Sequence, residues 1–190
     1  MQSSSAAGRS RVAVTAIQER RDAFRDLHRS RLYGFALLLT LGDRARAARL
    51  TDAALTAGAR RSGDLSHPER GAAWLRRHVL HATGPRFRSK SPRCERLAAL
   101  EPLHVDEVAF EALAALRTRE RAALVAAGIE RLDARDVATI VDLDSHGLER
   151  LLRRARRRAA SASAVATTRA GSRDGPIETL IHAVAARAMS

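Results

Sequence analysis

The scarcities of this chain bound it first. It holds one cysteine, Cys94, so no internal disulfide can form and the thiol fits a reducing compartment. Aromatic residues make up only 3% of the sequence, so a core has to be built from Leu, Val and Ala rather than from large rings. Proline and glycine are sparse and β-branched runs are short, which disfavours a sheet-rich fold. The longest apolar stretch, YGFALLLTLG at 33–42, is far shorter than the roughly 20 residues that cross a bilayer. The opening MQSSSAAGRSRVAVTAIQERR has no apolar segment of the kind a secretory signal needs. No Ser-His-Asp order, carboxylate pair or Gly-rich phosphate loop stands out. The expectation is a cytoplasmic protein that is not an enzyme, uses no cofactor and has no membrane partner.

What is abundant points to helix. Ala, Leu and Arg all have high helix propensity, and the fold class they predict is all-α. The formal charge is +13, which favours polyanionic partners: nucleic acid, acidic protein surfaces or anionic lipid. Lys90 is the only lysine, so part of the arginine excess is compositional bias of the kind a GC-rich coding sequence writes on neutral surface positions.

Along the chain, residues 1–18 read as a flexible N-terminal arm. Residues 19–85 read as a small helical domain: Phe24, Leu27, Phe35, Leu38 and Leu39 recur at helical steps, with a break at Arg31. Gly42 ends that helix and Asp43 caps the next, whose inner side carries Ala47, Leu50, Ala54 and Gly58. Ser66-His67-Pro68-Glu69 has the form of a capping box before a third helix, in which Trp74 is expected to anchor the core. RFRSKSPRCER opens a basic linker, 86–105. A second domain, 106–160, contains Phe110, Leu113 and Leu116 on one helix and Thr118 as the cap of another. Residues 161–175 read as a flexible linker, and 176–190 as a C-terminal amphipathic helix with Ile177, Leu180, Ile181 and Val184 on one side.

Residues 133–158 have the spacing of a helix-turn-helix. Asp133 caps a short first helix with Val137 and Ala138 inward; Leu143 plugs the turn and Asp144 caps the second helix. Its outward side carries Ser145, His146, Glu149, Arg150 and Arg153, the donors and acceptors a groove reader needs. Arg154, Arg156, Arg157 and Arg158 continue as a basic tail suited to phosphates. Asp142 stands in the turn where many such motifs have glycine. A solvated helical hairpin has the same spacing, so the pattern alone leaves both readings open.

The order of the pieces resembles a bacterial RNA polymerase sigma factor of the extracytoplasmic-function group. FRDLHRSRLYGFALLLTLGDRARAARLTDAALTAGARR with HPERGAAWLRRHVLHAT is similar to that family's domain two. FEALAALRTRERAALVAAGIERLDARDVATIVDLDSHGLERLLRRARRR is similar to its domain four. The resemblance spans roughly residues 22–160 and, by motif order, is more specific than any one motif. It implies a nucleoid-associated transcription initiation protein whose partners are DNA, the RNA polymerase core and an anti-sigma factor. It further implies DNA contacts from Ser145, His146, Glu149, Arg150, Arg153, Arg154 and Arg157, and contacts to the promoter −10 region from Trp74, Arg76, Arg77 and His81. Polymerase docking would fall on Ala48, Arg49, Asp52 and Ala53. The family's acidic and glutamine residues there are replaced, which leaves that face neutral or basic. Two other readings compete: a sigma-like DNA-binding regulator that has lost polymerase docking, and a helical protein-interaction module with no DNA role.

Two smaller constellations remain. His78, His81, Cys94 and His104 include zinc-ligand types, but a lone cysteine without a CxxC partner makes incidental histidines the plainer reading. Cys94 beside Arg93 and Arg96 has the neighbours of a reactive thiol, against the plainer reading of a linker cysteine.

Overall fold

The computed structural model describes residues 4–61, 67–84 and 89–170, and side chains at 15–61, 67, 70–84 and 89–168. Among the described residues there is no strand, and the fold is all-α. Eight α-helices follow one another there: α1 (Ser4–Leu39), α2 (Arg44–Arg60), α3 (Pro68–Thr83), α4 (Arg93–Leu100), α5 (Glu107–Ala114), α6 (Thr118–Leu124), α7 (Ala134–Val141) and α8 (Ser145–Ala170).

Local chemistry sets the helix ends. Asp43 accepts the Arg46 N–H at 2.9 Å and Asp106 the Ala109 N–H at 2.7 Å, each capping the helix behind it. Between α1 and α2 the chain turns through Leu41 (φ 53°) and Gly42 (φ 82°). A Cβ on Gly42 would lie 2.0 Å from the Arg96 carbonyl oxygen, so only glycine lets the turn meet α4. Ser89 Oγ donates to Asp43 at 2.7 Å, tying the stretch before α4 to the same corner.

Several expected boundaries shift. The segment read as a loose arm is helical from Ser4, and α1 runs unbroken through Arg31. Part of the expected linker 86–105 is α4, followed by a 3-10 turn at Glu101–Leu103. The chain read as flexible beyond Ser161 continues α8 to Ala170. Thr118 is the first residue of α6 rather than its cap; the Glu120 carboxylate closes that helix start by accepting the Arg117 N–H at 3.1 Å. In α1 the inward stripe is Phe24, His28, Leu32 and Phe35, whereas Leu27 is 62% exposed. Trp74 is only partly buried, stacked on His78 at 5.2 Å, and Leu75 is the buried anchor of α3. Ser66 and the segment 176–190 lie outside the described residues; α3 begins after His67 with Pro68 in its first turn.

The largest departure is in packing. Instead of two domains spaced by a linker, α1–α3 and α5–α8 share one continuous core. It runs from Phe24, Phe35, Leu55 and Leu75 through Leu100 to Phe110, Val125, Ile140 and Leu148. α3 lies against α7, and α1 touches α6 and the single π-turn (Val125–Ile129) that follows it. Three polar ties fasten the seam. Arg76 of α3 forms a bidentate ion pair with Glu130, both largely buried. Arg121 of α6 is buried and donates to the carbonyls of Leu113 (2.8 Å), Leu116 (2.9 Å) and, across the seam, Leu39 (2.6 Å). Burial and the nearby Arg96 charge push its guanidinium down to about 10. Arg77 of α3 reaches Asp142 at 2.8 Å.

Candidate nucleic-acid interface

The helix-turn-helix is built from α7, a turn at 142–144 and the first half of α8. Asp133 caps α7 by accepting the Asp136 N–H at 2.7 Å, and Asp144 caps α8 by accepting the Gly147 N–H at 2.7 Å. Inward, Val137, Ile140 and Val141 meet Leu148, Leu151 and Ala155, all buried, and Leu143 packs half-buried against this core as the plug of the turn.

The turn residue Asp142 adopts the left-handed conformation, φ 55° and ψ 56°. That region strains most side chains, though Asp and Asn enter it more readily than others. Two arginines from other helices hold it. Arg119 of α6 donates to the carbonyl oxygens of Val141 and Asp142, in each case with a 2.7 Å contact, and so satisfies the open C-terminal end of α7. Arg77 binds the Asp142 carboxylate from the far side of the seam. The acidic turn residue is therefore neutralised by an α3 arginine.

Outward, every residue expected on the DNA side is exposed: Ser145, His146, Glu149, Arg150, Arg153, Arg154 and Arg157. They occupy the first helical turns after the α8 N-terminus, a length of about 18 Å at 1.5 Å per residue. The face is strongly cationic. The one acid on it, Glu149, is 4.0 Å from Arg153 and leaves that guanidinium 60% exposed. Arg158 departs from the expected phosphate-facing tail: both oxygens of the buried Glu120 carboxylate hold its Nη1, at 2.9 and 2.8 Å.

One cationic residue of this surface was not singled out in the sequence. Arg135, in the first turn of α7, is exposed and lines an open groove of about 770 Å³ with Arg77, Thr139, Asp142 and Ser145. Its signal in the sequence was a base one residue inside the motif's first helix.

No family model, curated protein or solved structure matches the chain. The geometry of the site therefore carries the reading.

The residues expected to meet the −10 region do not form one surface. His81 is exposed and Trp74 and Arg77 are partly so, but Arg76 is 3% exposed and locked onto Glu130, which removes it from any DNA contact in this arrangement. The residues expected to dock polymerase do share a surface. Ala48, Arg49, Asp52 and Ala53 all lie exposed on α2, and Asp52 pairs with Arg29 of α1 at 3.0 Å. Among the described residues no three metal-ligating side chains converge, and Cys94 is exposed on α4. No helix among them is long and apolar enough to cross a membrane.

Proposed function

We propose that this chain is a sigma-type transcription initiation protein. It binds promoter DNA through α7–α8 and associates with the RNA polymerase core through the exposed face of α2. The observation that carries the DNA half is the outward side of α8, where seven expected contact residues are all exposed on a helix capped by Asp144 and preceded by a turn that Arg119 braces. A groove-reading helix needs that combination: exposed donors near its N-terminus on a frame rigid enough to hold register. The polymerase half rests on the collinear resemblance to extracytoplasmic-function sigma factors and on the contiguous α2 stripe.

A second reading, a DNA-binding regulator without polymerase docking, is favoured by one specific feature. α3 is fastened to the second half of the chain by Arg76–Glu130 and Arg77–Asp142, so the residues a −10 contact would use are partly consumed inside the fold. A basic or neutral α2 face also gives a basic polymerase element nothing to attract.

The experiment is retention of the full chain on immobilised RNA polymerase core at moderate and raised salt, beside an Ala48→Glu/Arg49→Asp variant. Salt-resistant retention of the native chain is expected. Retention of the variant alone would overturn polymerase docking and leave the regulator reading. Absence of any salt-dependent DNA binding by the native chain would remove both.

A further inference from the structure

Ala155 is the last inward position of the helix-turn-helix, yet α8 runs on to Ala170, about four further turns. One side of this extension packs on α5, with Ala159 and Ser163 buried. Beside that seam lies a groove of about 1000 Å³. It is lined by Val108 and Ala114 of α5, by Ala115 just past that helix, and by Ala162, Val165 and Ala166 of α8. Val165 is 51% exposed there, a large apolar side chain left without cover by the described residues. The small residues around it allow a third backbone to approach closely. The charged residues that also line it are paired within the fold, Arg93 with Glu107 and Glu111 and Arg158 with Glu120, so the uncovered part of the groove is apolar.

The sequence that follows supplies an occupant. Residues 171–176 read Gly-Ser-Arg-Asp-Gly-Pro, a stop, a short connection and a start. Ile177, Leu180, Ile181 and Val184 then recur at i, i+3, i+4 and i+7, a single apolar stripe that needs a surface to cover. Five residues, 171–175, are within the connection length of an antiparallel helix pair. A helix advances about 10 Å from Ile177 to Val184, the same distance that α8 covers between Arg158 and Val165.

We propose that residues 176–189 turn back antiparallel to α8 and seat Ile177, Leu180, Ile181 and Val184 in the α5–α8 groove. The groove begins at Arg158, beyond the outward stripe of α8, so its occupation leaves Ser145 to Arg157 open. The inference is independent of what that stripe binds.

Thiol accessibility in the full chain tests it. In a Cys94→Ser background, Ile181→Cys places one thiol on the stripe and Ala186→Cys places one on the opposite side of the same segment. Docking predicts that a maleimide modifies Ile181→Cys roughly ten times more slowly or less, because a seated side chain reacts only through local opening. Adding Ala162→Arg to fill the groove, or Val165→Asp to charge it, is expected to make the two rates equal while the far-UV circular dichroism is unchanged. Equal rates without the groove substitutions would overturn the proposal. So would protection that survives both of them, or protection that appears only with a dimeric mass in light scattering, which would make a second copy the occupant.

Discussion

Arg76 on α3 and Glu130 after α6 form a two-pronged ion pair with side chains 4% and 15% exposed, and that pair joins the two halves of the chain. Its position at the seam makes it a test of whether the halves fold as one unit. Removing one partner strands a buried charge, so Glu130→Ala should cost about 3 kcal/mol in urea unfolding. Arg76→Met/Glu130→Leu, which removes both charges at similar volume, should recover most of that loss. A cost below about 1 kcal/mol for Glu130→Ala would mean that the seam opens without penalty.

The left-handed turn residue gives a prediction of opposite sign. Asp142→Gly relieves backbone strain and loses an ion pair whose partners are 41% and 59% exposed, a contact worth about 0–1 kcal/mol. Thermal unfolding should show no loss of stability, whereas Asp142→Val should lose about 1–2 kcal/mol from its branched side chain at positive φ.

DNA binding is expected to read out the α8 face through salt. Arg150→Ala and Arg153→Ala should each weaken binding, and each lost phosphate contact should flatten the log K against log salt slope by about 0.9. An arginine that reads a base edge instead should relax specificity at one position and leave the slope in place. Fluorescence anisotropy over a salt series distinguishes these outcomes. Arg158→Ala should leave the slope alone and reduce stability, because that residue serves Glu120.

His28 should make stability depend on pH. It is 8% exposed, set edge-on to Phe24 at 4.7 Å, and burial together with the Arg76 charge holds its imidazole below the ordinary value of 6.5. The folded state therefore keeps it neutral while the unfolded chain takes up a proton near pH 6.5. This group's contribution is complete above pH 6.5 and falls away as the pH drops from there through the folded value. The urea midpoint should decline below pH 6.5, and His28→Leu should flatten that decline.

The sequence by itself determined what depends on near neighbours in the chain. Helix formation follows from Ala, Leu and Arg propensity, and the stops and caps at Gly42, Asp43, Asp133 and Asp144 are contacts within three residues or single backbone conformations. The outward side of α8 was legible for the same reason: a period of 3.6 residues divides inward Leu148, Leu151 and Ala155 from exposed Arg150, Arg153 and Arg157. Only the tertiary structure decided that Arg76 is buried, that Arg77 and Arg119 brace the turn, and that Arg158 belongs to Glu120. The partners of these arginines lie 22 to 65 residues away. An arginine with no local partner looks the same in sequence whether it faces solvent, a phosphate or a distant carboxylate. Which of these it meets depends on how α3 packs against α7, and non-local apolar contacts set that packing.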